Sequence, residues 1–255
     1  MRRRQWVNPA FEKDPQVIRL LELLPDGFDS SGDLLWDGRN KIRAISGMVV
    51  KRFKHPNLAQ QVGYWFRSYK ARRAFANGME LVKRGFDTPT PIAAIELRSG
   101  LLLKEGFYIC RPLNAQAESI EPRIDCDDWD HALAQSFAHF AAELHSAGVL
   151  HNDLNDTNVF YELLSDGSYH FSVIDINRMK FYAPGQEIPT WEWIENLTRF
   201  TKRMDLYEYV IRYYLRERGI DEEQIIGQCL AQKRSHDLKR YRRKRILHLF
   251  KKKKK

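Results

Sequence analysis

Residues 150–175 read LHNDLNDTNVFYELLSDGSYHFSVID, and the order of polar residues within them decides the fold. His151, Asp153 and Asn158 stand in the spacing His-x-Asp-x-x-x-x-Asn. Two strand-like runs follow, Val159 to Leu164 and Tyr169 to Ile174, joined by Ser165-Asp166-Gly167-Ser168 and closed by Asp175. This is the order of a phosphoryl-transfer catalytic loop followed by a metal-binding hairpin. A hydroxyl attacking a γ-phosphate needs a carboxylate to orient it and accept its proton, the place that Asp153 holds. Hard Mg²⁺ ions take oxygen ligands, which the Asn158 amide and the Asp175 carboxylate supply. Each residue alone also reads as a turn former. The ordered set with its hairpin points to an ATP-dependent kinase.

The sequence leading into the loop agrees. Trp129 to Ala147 carries Leu133, Phe137, Phe140, Ala141 and Leu144 at helical spacing, and Gly148 ends that helix. Asp125, Asp127 and Asp128 precede it, and capping with dipole complementarity explains them without a metal ion. Further upstream, Gln16 to Leu24 is helical in pattern, while Leu34 to Arg43 and Met48 to Phe53 read as strands separated by a turn at Ser46-Gly47. Val49-Val50-Lys51 has the form of the strand whose Lys reaches the ATP phosphates. Asp37-Gly38-Arg39-Asn40 would be the phosphate-covering turn, with one glycine where three are usual. Ser68 to Arg84 is predicted to be a helix, with Ser68 at its N-cap and Gly85 at C′. Glu80 on it faces Arg84 rather than the strand, so the acidic partner of Lys51 is not assigned. Thr88-Pro89-Thr90-Pro91 is an extended segment before strands near Ile92 to Leu97 and Phe107 to Arg111, and Pro112-Leu113 is the expected hinge.

After Asp175 the chain departs from protein kinases. Asp175-Ile176-Asn177-Arg178 lacks the Phe-Gly pair, and neither a long activation segment nor Ala-Pro-Glu follows, which disfavours a peptide substrate. Trp191 and Trp193, with Arg178, Lys180, Arg199 and Arg203, form a set suited to stacking on sugar rings and pairing with acidic groups. Burial of both tryptophans in a core is the competing explanation. Met204 to Leu215 is a further amphipathic helix.

The fold class is α+β: a two-lobed protein-kinase-like fold with an antiparallel-sheet N-lobe over residues 1–112, a mainly helical C-lobe over 113–232 and a polybasic tail over 233–255. The chain has 255 residues of which 43% are hydrophobic, enough for two lobes and unlike a disordered protein. Cys110, Cys126 and Cys229 are odd in number and widely spaced, against a disulfide framework or a zinc site and in keeping with a reducing cytosol. Met1 to Arg4 resembles the basic start of a signal peptide, but no apolar run follows it, and no stretch approaches a membrane span. The net charge of +9 is unevenly distributed: from Lys233 onward there are 13 Lys or Arg and one Asp, so residues 1–232 carry −3.

Val49 to Phe53, Thr88 to Pro91, His151-Asn152-Asp153-Leu154-Asn155 and Ile174 to Arg178 together resemble the lipopolysaccharide kinase family, the heptose and 3-deoxy-manno-octulosonic acid (Kdo) kinases of Gram-negative bacteria. The resemblance covers about Val7 to Leu215. It implies transfer of the γ-phosphate of ATP to a hydroxyl of an inner-core sugar on a lipid-linked core oligosaccharide acceptor. Asp153 matches the catalytic Asp by position, Lys51 the ATP-binding Lys, and Asn158 and Asp175 the Mg²⁺ ligands. Asn155 stands where protein kinases carry a Lys that contacts the γ-phosphate. Three rival readings stay open: an aminoglycoside- or choline-type kinase, an atypical protein kinase, and a nucleotide-binding pseudokinase. The charge of the tail suits an anionic lipid surface, a nucleic acid, or simple solvation. A lipid-linked acceptor favours an anionic membrane surface and disfavours nucleic acid, which places the protein peripherally on the cytoplasmic face of the inner membrane.

Overall fold

Strands drawn from the first 110 residues of the chain form a six-stranded antiparallel sheet. The computed structural model describes residues 1–53 and 69–252, those beyond 246 as backbone only. Its first compact unit is Met1–Ala117 with Ser172–Arg178. Six strands supply the sheet, β1 (Arg2–Val7), β2 (Asp33–Asp37), β3 (Lys41–Ile45), β4 (Met48–Arg52), β5 (Pro91–Ser99) and β6 (Leu102–Cys110), in the order β1-β5-β6-β4-β3-β2. The run Leu34 to Arg43 is thus a hairpin of two strands turning at residues 38–40, and Ser46 and Gly47, both at positive φ, turn β3 into β4.

β1 was not legible as a strand. Its register runs from Arg2 opposite Arg98 to Val7 opposite Ala93. The three arginines suit an exposed edge, where charge discourages further pairing. Arg3 also donates to the carbonyls of Leu21 and Leu24 at 2.6 and 2.8 Å, satisfying the C-terminal end of helix α1 (Pro15–Leu23). At its other end Asp14 accepts from Gln16 N at 2.8 Å, and Pro15 occupies N1, where its missing N–H costs nothing. Val17, Leu20 and Leu21 of α1 pack with Val50, Ile95, Phe107 and Ile109 on one face of the sheet.

Helix α2 (Lys70–Lys83) has Tyr69 at its N-cap, one residue after the expected Ser68, which lies outside the described residues. It ends as expected on Gly85, whose φ of 85° lets Gly85 N and Phe86 N bond the carbonyls of Val82 and Leu81. Gly78 in its middle is a close-approach residue: a Cβ there would stand 2.5 Å from Pro91 and 3.0 Å from Ile176. The helix is thereby pressed onto β5 and onto the turn after Asp175. Val173 N donates to Asp87 O at 3.0 Å, and Asn77 donates to Ile176 O at 2.7 Å. These bonds put residues 172–178 in the first unit, although a boundary at residue 112 would assign them to the second lobe.

The second unit, Glu118–Phe171 with Met179–Lys255, is mainly helical. It holds β7 (Glu118–Ser119), α3 (Glu121–Ile124), α4 (His131–Ser146), β8 (Val149–Leu150), β9 (Val159–Leu163), β10 (Tyr169–Val173, which ends in the first unit), β11 (Lys180–Phe181), α5 (Thr190–Leu197), α6 (Met204–Glu217) and α7 (Glu222–Lys252). α4 begins two residues late because Asp130, not the upstream aspartates, is its cap, accepting from Leu133 N at 2.9 Å. Asp125 and Asp127 instead meet Lys202 and Arg203 at 3.5 and 3.0 Å. The five apolar residues expected on α4 are buried, and Phe137 stacks on Phe200 at 3.8 Å. α7 runs through residue 233 without a break, so the position expected to open a separate tail lies inside a helix.

Candidate active site

The loop expected to be catalytic is built around the backbone of Asp153. Gly148, at a φ of 70°, turns the chain out of α4 into β8, which pairs with β11. His151 follows, fully buried, and its Nδ1 accepts from Asp153 N at 3.3 Å. The Asp153 carbonyl accepts from Asn158 Nδ2 at 2.9 Å, Asn155 N at 2.9 Å and Asn155 Nδ2 at 3.2 Å. Leu154 anchors the loop in the core. Asp153 is thus held by its main chain, and its residue lines an open cavity. Because the Asn158 NH₂ donates to backbone, the amide oxygen is the atom it can offer to a cation. Asn155, in the place of the usual phosphate-contacting Lys, is occupied in shaping the loop: its Oδ1 accepts from Thr157 Oγ1 at 2.6 Å.

A buried relay supports this loop from behind. Asn152, at a φ of 62°, donates its N–H to Asn196 Oδ1 at 2.8 Å. Asn196 Nδ2 lies 2.9 Å from His145 Nε2, and His145 Nδ1 lies 2.9 Å from Tyr214 Oη. The Asn196 amide, oriented by Asn152, makes Nε2 an acceptor, so Nδ1–H donates to Tyr214. Burial, reinforced by Arg218, holds His145 down to about 3, so the ring is neutral. None of His145, Asn196 and Tyr214 was marked by the sequence motif, since they meet from three helices.

In the first unit the structure supplies the partner that sequence reasoning left open for Lys51. Its Nζ lies 2.7 Å from Asp175 Oδ1, which also accepts from Asn177 Nδ2 at 2.8 Å. Asp175 adopts a φ of 56°, a left-handed conformation uncommon for a residue with a side chain and concentrated at functional sites. Glu80 bonds Arg84 at 2.8 Å, as its helical phase requires. Lys70 stands within electrostatic reach of Asp175. Burial first, then the charges of Arg39, Arg178 and Arg73, draws the Lys70 ammonium below the usual lysine range, while Asp175 opposes them. Arg39 sits at the β2–β3 turn where glycines were expected, and Lys70 opens α2. A basic residue at each of those two positions was the available sequence signal.

The structure separates the residues expected around a sugar. Trp193 is buried and Trp191 is 61% exposed, because neighbours two apart on α5 point to different sides. Lys180 is engaged by Glu192 at 2.9 Å, and Arg203 by Asp127, Asp205 and the Cys126 carbonyl. Arg199 pairs with Glu195 at 2.9 Å and also lines the cavity beside Asp153.

A model of the Lipopolysaccharide kinase (Kdo/WaaP) family matches residues 47–209, a span containing Lys51, Asp153, Asn158 and Asp175. A 3-deoxy-D-manno-octulosonic acid kinase of Vibrio vulnificus (strain YJ016) is 32% identical over 118 residues, 45% of this chain and 48% of its own. Another, of Xanthomonas axonopodis pv. citri (strain 306), is 29% identical over 165 residues, 61% of each. The chain therefore matches about half to three-fifths of the length of these curated relatives. Among solved structures, WaaP in complex with acyl carrier protein aligns with a TM-score of 0.56 over 92% of this chain and 98% of that one, at 18% identity. That likeness is one of fold, the two-lobed protein-kinase-like α+β architecture.

Proposed function

The chain belongs to the lipopolysaccharide kinase (Kdo/WaaP) family, and on that premise we propose that it transfers the γ-phosphate of ATP to a hydroxyl of a Kdo or heptose residue in the inner core of a lipid-linked acceptor. The observation that carries this reading is the Lys51–Asp175 pair, which brings the sequence-predicted nucleotide lysine onto the sequence-predicted metal aspartate.

Asp153 acts as the base. It orients the sugar hydroxyl and takes its proton as the oxygen bonds to the γ-phosphorus and the bond from that phosphorus to the β-phosphate oxygen breaks, releasing ADP; its clamped main chain limits the reorganisation needed at that moment. Lys51 turns from Asp175 to the phosphates of ATP. The donor set fits a hard divalent ion: a carboxylate already held among positive groups at Asp175, and an amide oxygen fixed by its own NH₂ contact at Asn158. Asp175 and Asn158 would be the residues to hold Mg²⁺, which would supply neutralisation of charge on the phosphates. With Asn155 committed to the loop, Lys70, whose ammonium feels the charges of Arg39 and Arg178, is the further cation assigned to the triphosphate.

The protein works peripherally at the cytoplasmic face of the inner membrane, its basic C-terminal end attracted to anionic lipid at about 1 kcal/mol per basic residue. Among the described residues no helix is long and apolar enough to cross a membrane. The test is to incubate the protein with ATP, Mg²⁺ and lipid-linked core acceptor and to identify by mass spectrometry and NMR which residue gains a phosphate. Gain at a Kdo or heptose hydroxyl supports the reading, and no gain on any core sugar refutes it.

A further inference from the structure

Residues from Lys233 onward, expected to form a separate tail, continue the C-terminal helix α7, which is fixed against Thr201, Tyr207 and Trp191. Lys233 on α7 is fully buried; its Nζ donates to Thr201 O at 2.6 Å and meets the Asp237 carboxylate at 2.7 Å, above the Tyr207 ring. Thr201 adjoins Phe200, whose carbonyl accepts from Asp156 N in the catalytic loop at 3.0 Å. Tyr207 donates to Cys229 O at 3.4 Å and Gln232 to Trp191 O at 3.2 Å. These contacts set the rotation of the helix.

That rotation turns one basic face towards Asp153. His236, Lys239, Arg240 and Arg243 follow the spacing i, i+3, i+4, i+7 of a single helix face. With Arg199 and Lys202 they line a cavity of about 490 Å³ whose other wall includes Asp153, Asp156 and Thr201. Five Lys or Arg thus face two Asp. Arg199 and Lys202 have acidic partners in Glu195 and Asp125, but among the described residues no carboxylate lies within ion-pair distance of Lys239, Arg240 or Arg243. A polar, cation-walled cavity beside a general base suits an acceptor that carries negative charge, which the base alone would repel.

We propose that this face of α7 is part of the acceptor site, binding a carboxylate or phosphate of the sugar acceptor while Asp153 addresses its hydroxyl. The inference rests on the sugar-kinase reading and adds to it the residues of α7 that hold the acceptor's acidic group.

The test compares Lys239→Gln/Arg243→Gln with Arg234→Gln/Arg245→Gln, which removes the same charge from the opposite side of α7. Kinetics use core acceptor in neutral detergent micelles and the same acceptor after methyl esterification and dephosphorylation. Losing charge-assisted contacts should raise KM for the acidic acceptor roughly tenfold or more in the inner pair, several times more than in the outer pair. kcat should hold within about threefold, and the neutralised acceptor should not distinguish the variants. Equal effects of the two pairs, or none, overturn the proposal. So does an inner pair that loses only binding to anionic vesicles, since the cavity would then be a lipid-headgroup site. If wild type phosphorylates no sugar acceptor, the functional reading has failed. Calorimetric titration with the free sugar acid Kdo then decides the subsite separately: binding lost in the inner pair alone keeps it, and binding equal in both pairs removes it.

Discussion

Lys51 Nζ and Asp175 Oδ1 stand 2.7 Å apart across 124 residues of sequence, and both side chains are partly buried, 18% and 35% exposed. The lysine's anionic partner is thus the residue expected to hold the metal. Lys51→Met should therefore weaken ATP binding about tenfold with or without Mg²⁺, the loss of one charge-assisted contact. Asp175→Asn should weaken it only when Mg²⁺ is present. Fluorescent-nucleotide titrations with and without Mg²⁺ distinguish the two. Identical profiles for both variants would contradict the assignment.

Asp175→Asn should raise the Mg²⁺ concentration needed for nucleotide binding more than Asn158→Ala does, because a carboxylate brings a full charge to the ion and an amide only a dipole. Asn158→Ala should also slow turnover at saturating Mg²⁺, since Asn158 Nδ2 holds the Asp153 carbonyl at 2.9 Å. Superimposable Mg²⁺ titrations, or a kcat fully restored by excess Mg²⁺ in Asn158→Ala, would count against these roles.

The relay behind the loop makes a pH prediction. His145 stays neutral in the folded protein down to about 3, chiefly through burial, while an unfolded histidine titrates near 6.5. Below about 6.5 the unfolded chain takes up a proton that the folded chain refuses. Stability is therefore full above that pH and falls as pH drops towards 3, by up to ~1.4 kcal/mol per unit from this residue. His145→Gln should remove that component from urea-unfolding curves recorded across the range. A variant whose stability falls as steeply as the wild type would show that His145 does not titrate this way.

Lys233 is a structural pin although it heads the basic run. Lys233→Ala strands the Asp237 carboxylate and the Thr201 carbonyl and opens a hole over Tyr207. It should cost about 2–4 kcal/mol. Lys233→Met, which keeps the packing, should cost less. Truncation after Asp237 should preserve the fold better than truncation after Gln232. Equal melting temperatures for Lys233→Ala and wild type would contradict the pin.

These cases show where sequence reasoning reached. The catalytic loop, the β9–β10 hairpin and the buried face of α4 were legible because each is specified locally, by spacing or periodicity. β1 was not, because an arginine-rich edge strand has no apolar alternation and its pairing with β5 is remote. The partner of Lys51 needed the turn after Asp175 to be folded onto α2. Lys233 resembled its solvated neighbours, and only the packing of α7 against Thr201 and Tyr207 buries it. The split between Trp191 and Trp193 was available in principle, since residues two apart on a helix differ by about 200°.

The central claim is that Asp153 serves a sugar-directed kinase. The measurement is transfer from γ-labelled ATP, with Mg²⁺, by wild type and Asp153→Ala, offering lipid-linked core acceptor, a casein-type protein and aminoglycosides in parallel. The account predicts label on the core acceptor alone and a loss of roughly 10² to 10⁴-fold in the variant, with nucleotide binding retained. Label on protein or aminoglycoside instead of the core sugar, or turnover by Asp153→Ala within about tenfold of wild type, would contradict it.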